Sequence, residues 1–568
     1  MKKPPEVKHL SPADIESLLL RLEAGTQSPD DVALIRQVFA VMAYITELVA
    51  RKESQLKTLL RRLFGFQSER SQQVLKQLKA KQESAPGDSP SEADSEMASN
   101  PDRNQKKKKK QKGHGRAGVD AYTGAEQQFI AHPELSPKDA CPECLKGRVY
   151  EQAQSGVFIG FTGMPAITAK VFRAQKLRCN LCGQMYTAEL PESVKDQAAE
   201  AGSGRYFDPS SKSMMAILRY GCGMPLNRLS KLQTSLGIPV AASTLWDKIK
   251  EASAELVCIL YTLRQLAAQG HLIHHDDTGI KILAVMQQID REKEQALQTG
   301  TDKGKNRIRT GLYTTGIVAN HQSHQIALFF TGRKHAGENL SELLAERDPS
   351  RSPPITMSDA KSGTIPDNVE TVVSFCNAHA RRKFVDIAED FPDECLYVIV
   401  TVFGKLYQHD GEAKEKNLDQ TERLRYHQKK SGPIMDAFDD WMKNQFEQKR
   451  VEPNSSLGKA IRYVQQHWEK LTRFLEVEGV PLDNNLCERV LKMAIVHRKN
   501  SLFYKTSAGA RVGDLFMSLI HTCQLAGVSP YHYLTQLQIH SATVRQDPQR
   551  WLPWNYQEML SGTQQRCA

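Results

Sequence analysis

The first eighty residues carry a helical pattern of apolar and polar positions. The pairs Ser11-Pro12 and Ser28-Pro29 are typical of helix starts, because serine caps free N–H groups and proline fits the first turn. After Ser28, Ile35, Met42, Val49, Leu56 and Leu63 fall seven positions apart. The companion d positions hold Val38, Ile45 and Leu59, with Lys52 as the one break. This heptad pattern predicts a coiled coil, most simply in a homodimer. Packing of the second helix against the first within one chain is the alternative.

Polar residues then dominate a stretch with almost nothing to bury. Residues 82–105 are rich in Ser, Glu, Asp, Pro and Asn, and five lysines follow at 106–110. This composition predicts a disordered linker. A basic run on such a linker binds nucleic-acid phosphates through its charge, or it is simply solvated.

From His271 the pattern changes to short apolar runs, which predict strands. The runs are His271–Asp277, Gly311–Ala319, His324–Phe330, Ile355–Asp359 and Val372–Cys376. A short helix is expected at 339–345 and a basic helix at 378–387, whereas the charged residues 291–309 predict an exposed loop. Three strands, a helix, then a strand and a helix is the order of a ribonuclease H-like fold, in which strand ends gather acids at one edge of a mixed sheet.

Helical patterns surround this core. Residues 211–220, 226–236 and 243 onwards predict three helices, with Ser243 as an N-cap and a turn at Gly237. The last two helices fit a helix-turn-helix that binds DNA, or they are ordinary helical packing. Residues 390–480 predict an inserted helical subdomain. A further helix, capped by Asn484 or Asn485, carries Glu488 one turn in.

Length and charge bound the class of protein. The chain has 568 residues, with 76 basic and 65 acidic side chains and a net charge of +11. The length predicts about three to five domains, and the charge suits a polyanionic partner. We expect no membrane span and no export signal, because no apolar run is long enough and the start of the chain is polar.

Two Cys-x-x-Cys pairs indicate a metal site. Cys141 with Cys144 and Cys179 with Cys182 can each present two thiolates from a tight turn. Four thiolates complete a tetrahedral Zn²⁺ site with no open position, so the predicted role is structural. The alternative is two isolated thiol pairs.

The run His271–Leu283 contains two adjacent acids, Asp276 and Asp277. Like charges at the end of a buried strand repel each other and resist desolvation. Binding of a divalent metal would explain this arrangement, and a polar strand end before a turn at Gly279 is the alternative. Because side chains alternate along a strand, only one of the two acids should face a site.

Several longer motifs decide between these interpretations. They are His274-His-Asp-Asp-Thr278, Cys376-Asn-Ala-His-Ala-Arg-Arg-Lys-Phe384, Asp483-Asn-Asn-Leu-Cys-Glu-Arg489, Arg498-Lys-Asn-Ser-Leu-Phe503 and Ser529-Pro-Tyr-His-Tyr-Leu534. Together with Gly113–Arg116, the cysteine pairs and the heptads, they resemble a bacterial transposase of the insertion-sequence-66 family over nearly the whole chain. Asp277 stands where the family usually has Glu, and Asp359-Ala-Lys361 stands where it usually has Asp-Gly-Tyr.

The resemblance implies a DNA transposase with a catalytic Asp-Asp-Glu triad. Asp276, Asp359 and Glu488 would hold two Mg²⁺ (or Mn²⁺) ions for cleavage at the ends of the insertion sequence and for strand transfer into target DNA. Candidates for holding DNA phosphates are His379, Arg381, Arg382, Arg489, Arg498 and Lys499. The implied partners are inverted-repeat ends, target DNA, further copies of the chain and accessory proteins of the same element. The implied location is the bacterial cytoplasm, at the nucleoid.

The resulting expectation is a multidomain α+β protein. Its ribonuclease H-like core carries an inserted helical subdomain, preceded by a coiled coil, a zinc-ribbon-like domain and a helical DNA-binding region. The expected divisions are 1–80 (coiled coil), 81–117 (basic linker), 118–195 (zinc), 196–268 (helix-turn-helix-like), 269–390 (core), 391–480 (insertion), 481–536 (core with Glu488) and 537–568 (tail). Two other functions stay open: a transposase-derived DNA-binding protein without catalysis, and a ribonuclease H-like nuclease with another substrate.

Overall fold

The computed structural model describes residues 206–299 and 308–564 continuously. It also describes shorter stretches and single positions before them, at 18, 20, 21, 23, 24, 28–35, 137–139, 148, 166–178, 185–192, 195 and 197. Four predictions lie outside these residues: the coiled coil beyond Ile35, the linker, the lysine run and all four cysteines of the zinc site. Within the range predicted to bind zinc (118–195), strands β1 (Lys176–Arg178) and β2 (Met185–Thr187) form an antiparallel pair.

A mixed five-stranded sheet forms the centre of the described structure. Its strands are β3 (Leu272–Gly279), β4 (Tyr313–His321), β5 (His324–Gly332), β6 (Ile355–Ser358) and β7 (Val372–Phe375). The spatial order is β5-β4-β3-β6-β7. β3, β4 and β5 pair antiparallel, whereas β6 and β7 run parallel to β3. All five predicted strands are present, and their bounds differ from the predicted ones by a few residues at most.

Within residues 206–271, three helices precede the sheet. They are α1 (Pro209–Ala216), which continues as a π-helical turn over Ile217–Gly221, α2 (Leu226–Ser235) and α3 (Ala242–Ala268). The predicted Ser243 cap is wrong, because α3 begins one residue earlier and Ser243 lies inside it. α3 spans 27 residues and buries Leu245, Ile249, Leu256 and Leu263 on one face. This face is therefore committed to the interior of the protein.

The segment after β3 corrects another prediction. Residues 291–299, expected as part of an exposed loop, belong to helix α4 (Leu283–Thr299). Ile289 of α4 is buried, so the helix has an apolar face despite its many charged residues. Charge density alone therefore gave a misleading prediction here.

The remaining helices flank the parallel half of the sheet and fill the predicted insertion. α5 (Ala336–Leu344) connects β5 to β6, and α6 (Asn377–Val385) follows β7. The insertion contains α7 (Pro392–Leu396), a π-helical stretch (Tyr397–Gly404), α8 (Lys405–Glu415), α9 (Gln420–Lys430), α10 (Gly432–Glu447), α11 (Ser456–Gln466) and α12 (Trp468–Thr472). Phe384, Phe403 and Phe438 pack together in one hydrophobic core, which joins α6 to the insertion.

The C-terminal part is helical to residue 564. It comprises α13 (Asn485–Ser501), α14 (Ser507–Leu525), α15 (Pro530–Ile539), α16 (Ser541–Gln546) and α17 (Tyr556–Gln564). The expected start of a tail at 537 falls inside α15, and Trp551 and Tyr556 beyond it are buried. Among the described residues, no helix is both long and apolar enough to span a bilayer.

Candidate active site

Two of the predicted acids lie side by side at one edge of the sheet. In the parallel ladder between β3 and β6, His274 pairs with Met357. Extending this register by two residues brings Asp276 opposite Asp359, which follows the last residue of β6. Because carboxyl ends of parallel neighbours meet at the same edge, the strand pairing alone brings these two acids together.

The electrostatic surroundings of Asp276 reflect this proximity. Burial is the largest cause that raises the pKa of its carboxyl, to about 7, and the nearby Asp359 carboxylate raises it further. A hydrogen bond from the Asp277 N–H to Asp276 Oδ1, at 2.7 Å, acts in the opposite direction. The charged forms of the two acids therefore disfavour each other unless positive charge is supplied between them.

Asp277 points the other way and has partners that are already fixed. Its Oδ1 accepts a hydrogen bond from Thr315 Oγ1 at 2.5 Å, and its Oδ2 accepts one from the Ala336 N–H at 2.7 Å. Ala336 is the first residue of α5, so Asp277 satisfies one of the free N–H groups at that helix start. Asp277 thus ties β3 to β4 and α5, while Asp276 faces the edge shared with Asp359.

Glu488 lies in the first turn of α13, which packs across β3 and β4. Its approach depends on Gly316 of β4, the residue that pairs with Asp276. A Cβ atom at Gly316 would lie 2.8 Å from Leu491 Cγ of α13, closer than carbon atoms pack. Cys487 Sγ donates to the Gly316 carbonyl at 3.2 Å. The missing side chain therefore lets the helix that carries Glu488 rest directly on the sheet.

Asn484 fixes the start of this helix to the strand that carries Asp276. Its Oδ1 lies 3.1 Å from His274 Nδ1, and its Nδ2 donates to the His275 carbonyl at 3.0 Å. Because a carbonyl can only accept, the amide orientation is set and His274 Nδ1 carries the proton. Asn484 occupies the N-cap position of α13, one of the two positions predicted, but its side chain makes no capping bond because it is committed to β3.

A second group of polar side chains borders Glu488. Among the described residues, Cys376 Sγ, a ring nitrogen of His379 and a Glu488 carboxylate oxygen all lie within 4.8 Å of one another. His379 Nδ1 is 3.7 Å from Glu488 Oε1. Both of these atoms are buried without a hydrogen-bond partner, as is Asp359 Oδ1. Buried polar atoms without partners are uncommon and costly, so these three mark a place suited to a cation.

Within the described part of the chain, the Lys361 ammonium group bonds to one of the predicted acids, Asp359. Its Nζ lies 2.6 Å from Asp359 Oδ2, while most of the side chain is exposed. Burial acts to lower the pKa of Lys361, but the bond to Asp359 and the nearby Asp276 and Asp277 outweigh it, and the pKa is raised. Because Lys361 stands where the family usually has Tyr, a positive charge lies against the Asp359 carboxylate.

The candidates for phosphate binding have different surroundings. Arg489 and Lys499 are exposed on α13. Arg498 donates to Thr278 Oγ1 at 3.0 Å and to the Gly279 carbonyl at 2.5 Å, so it joins α13 to the end of β3. Arg381 is only 6% exposed, which leaves little surface for DNA, and Arg382 is half-buried. His379 faces Glu488.

The structure thus brings Asp276 and Asp359 together, and it brings Glu488 together with Cys376 and His379. Asp276 and Asp359 do not belong to the group that meets within 4.8 Å. The sequence-based predictions missed the roles of Gly316 and Asn484 and the position of Cys376 beside Glu488. The Cys376-x-x-His379 spacing, typical of paired metal ligands, was a signal for the last of these.

Comparison with known proteins identifies relatives of this chain. A 190-residue alignment with the uncharacterized protein y4jD of Sinorhizobium fredii (strain NBRC 101917 / NGR234) has 30% identity and covers 32% of this chain and 36% of that protein. The uncharacterized protein y4hP of the same strain is 24% identical over 382 residues, 63% of this chain and 64% of that protein. Each alignment spans less than two thirds of the relative.

A family profile covers more of the region that contains the site. The profile described as Transposase IS66 family matches residues 204–512, more than half of the chain. The matched range includes the whole five-stranded sheet, the inserted helices and α13, and with them Asp276, Asp359, Cys376, His379 and Glu488. The expected resemblance is confirmed: this chain belongs to the IS66 family of transposases.

Proposed function

We propose that this protein is a DNA transposase that cleaves the ends of its insertion sequence and joins them to target DNA. The observation that carries the proposal is the proximity of Asp276 and Asp359 at one sheet edge, with the helix that carries Glu488 packed across β3 and β4. The strand order β5-β4-β3-β6-β7, with three antiparallel and two parallel strands, supports a ribonuclease H-like core. Family membership supports the transposase role.

The side chains at this edge fit divalent metal ions. Asp359 Oδ1 and Glu488 Oε1 are buried without partners, and Asp276 is destabilised in its charged form by burial and by Asp359. Carboxylate oxygens are the ligands that Mg²⁺ and Mn²⁺ prefer. Asp276, Asp359 and Glu488 would hold these ions, which supply Lewis-acid activation of water or a 3′-hydroxyl and stabilise the leaving oxygen.

The surrounding residues position these acids and the DNA. Asn484, with His274 and the His275 carbonyl, keeps the start of α13 at a fixed place on β3. Asp277 holds α5 against the same strand and leaves Asp276 free for the site. Arg489 and Lys499, exposed on the helix that carries Glu488, would attract phosphates by charge and steer the backbone towards the acids.

Other parts of the prediction extend this proposal beyond the described residues. Cys141, Cys144, Cys179 and Cys182 would hold a structural Zn²⁺, and the heptads would join two chains. Recognition of inverted-repeat ends is also a prediction. The involvement of accessory proteins of the same element is another.

Cleavage of the protein's own element ends tests the proposal. We expect the full-length chain to nick or join DNA that flanks its own reading frame when Mg²⁺ or Mn²⁺ is present, and to stop when the metal is chelated. Glu488→Gln keeps the size of the side chain and removes its charge, so the rate should fall at least about a hundredfold. Unchanged cleavage by folded Glu488→Gln would refute the assignment of the third acid.

A DNA-binding protein without catalysis is the second candidate, and Lys361 favours it. An ammonium bonded to Asp359 occupies an oxygen that a metal would otherwise use. This candidate predicts binding to the element ends, measured by mobility shift, with no metal-dependent cleavage under any divalent ion. The same assay therefore separates the two candidates.

A further inference from the structure

The group Cys376, His379 and Glu488 has a chemistry different from that of the acid pair. We propose that these three side chains form a binding site for a borderline-soft divalent cation, with Zn²⁺ as the best match, and that this site competes with the acid pair for Glu488. Only the competition rests on the proposed function. The cation site itself stands on the geometry of the three ligand atoms.

The three ligand atoms converge from two separate elements. Cys376 ends the connection after β7 and immediately precedes α6, and His379 lies in the first turn of that helix. Glu488 comes from the first turn of α13. The three ligand atoms lie within 4.8 Å of one another, a spacing that one ion can bridge. Two ligands three residues apart, with a third from a distant segment, are a common arrangement of zinc sites.

Two of the three atoms lack other partners. His379 Nδ1 and Glu488 Oε1 are buried without a hydrogen bond, and they are 3.7 Å apart. Cys376 Sγ accepts a hydrogen bond from the Asn484 N–H at 3.2 Å, which favours a negative sulfur. Asn484 therefore positions both the Cys376 thiol and helix α13, which carries Glu488. The three side chains are held in place by the fold before any ion binds.

The ligand types select the ion. Mg²⁺ binds oxygen ligands almost exclusively, whereas thiolate, imidazole and carboxylate together suit Zn²⁺. Burial raises the pKa of the Cys376 thiol to about 12. Binding of the cation therefore requires the thiol proton to leave to solvent as the metal–sulfur bond forms, and the charge of the ion offsets the cost of burial. Three protein ligands leave a fourth position open for water or for a phosphate oxygen.

Because both metal sites would use Glu488, an ion at one site would affect binding at the other. A carboxylate bound to an ion beside Cys376 and His379 is not available to an ion at Asp276 and Asp359. If the proposed cleavage activity exists, Zn²⁺ should inhibit it in the presence of Mg²⁺, and His379→Gln should be less sensitive to this inhibition. Glu488→Gln should lose zinc at this site.

Zinc content measures the site directly and without DNA. Full-length wild type and variants are dialysed against the same low concentration of free Zn²⁺, and bound metal per chain is determined by elemental analysis. Cys376→Ser and His379→Gln should each bind one equivalent less than wild type. Cys395→Ser is the matched control, because Cys395 is equally buried but lies in the core of the helical insertion. Zinc bound by the predicted four-cysteine site cancels in these differences.

A second variant keeps the test decisive if Cys376→Ser does not fold. The His379 side chain is 22% exposed and has no hydrogen bond at Nδ1, so His379→Gln should fold normally, as checked by circular dichroism. Zinc content equal to wild type in folded His379→Gln would overturn the proposal. Because no DNA is present, zinc binding can fail while cleavage succeeds, and cleavage can fail while zinc binding succeeds.

Discussion

Two neighbouring residues in this protein have opposite surroundings, and the roles proposed for them follow from this difference. Asp276 and Asp277 are adjacent in the chain, yet Asp277 has three polar partners on β4 and at the start of α5, whereas Asp276 faces another acid. Alternation along a strand explains why only one of the two reaches the site. The family usually has Glu at position 277. Here the shorter Asp277 reaches the Ala336 N–H directly.

A buried acid away from the site gives a prediction about pH. Asp514 of α14 accepts hydrogen bonds from Thr331 N and Oγ1, and burial raises its pKa to about 7. Because the folded-state pKa lies above the ordinary value of 3.8, its contribution to stability is fully present below pH of about 4. This contribution is lost as pH rises through about 7, and the loss by pH 8.5 corresponds to about 4 kcal/mol.

Asp514→Asn removes this titration and keeps an oxygen and a nitrogen that can bond to Thr331. We expect the free energy of unfolding of the wild type, from urea titration, to decrease more between pH 5 and pH 8.5 than that of the variant. Other buried acids affect both proteins alike, so the difference isolates Asp514. If the free energies of unfolding of wild type and Asp514→Asn changed equally with pH, the raised pKa of Asp514 would be contradicted.

Among the helices, α14 covers one edge of the sheet and α13 carries Glu488 to the candidate site. β5 is an edge strand, and α14 covers it with Asp514, Ser518 and Thr522, one turn apart. These side chains accept hydrogen bonds from the N–H groups of Thr331, Phe329 and Ala327. The edge is therefore not free to pair with another strand. α13 packs on β3 and β4 and carries Glu488 towards the proposed active site.

The contact between α13 and the sheet predicts the effect of one methyl group. Gly316→Ala would place a Cβ atom 2.8 Å from Leu491 Cγ, so α13 must shift or the core must strain. Overpacking of this kind costs about 1–3 kcal/mol, measured as the loss in free energy of unfolding. The shift should also displace Glu488 and lower cleavage at element ends.

Gly332→Ala is the matched control for this variant. Gly332 ends β5, and a Cβ atom there would meet nothing within 4 Å. Its stability should stay within about 0.5 kcal/mol of wild type. If Gly316→Ala is as stable as Gly332→Ala, the close approach of α13 does not limit the site.

At the scale of the whole molecule, the sheet could be predicted from the sequence, and much of the site could not. Alternating apolar runs located the five strands, because strand periodicity is local. The proximity of Asp276 and Asp359 follows from the parallel register of β3 and β6, which no local pattern contains. Asn484 looked like a helix cap, since short polar residues favour that position, but a long-range contact with His274 determined its conformation. Helix α4 was not predicted from the sequence, because charged residues dominate it and its apolar face is narrow.

In the proposed function, residues from three distant segments form one metal-dependent centre for DNA cleavage. Cleavage of the element's own ends in Mn²⁺ by the matched variants Asp276→Asn and Asp277→Asn tests this proposal. Asp276→Asn should reduce the cleavage rate at least about a hundredfold without loss of stability. Asp277→Asn should lose about 1–2 kcal/mol of stability, because one of its two short hydrogen bonds is lost, and should retain most of the cleavage rate of wild type. Equal activity of folded Asp276→Asn and wild type, or loss of activity in Asp277→Asn alone, would contradict the account.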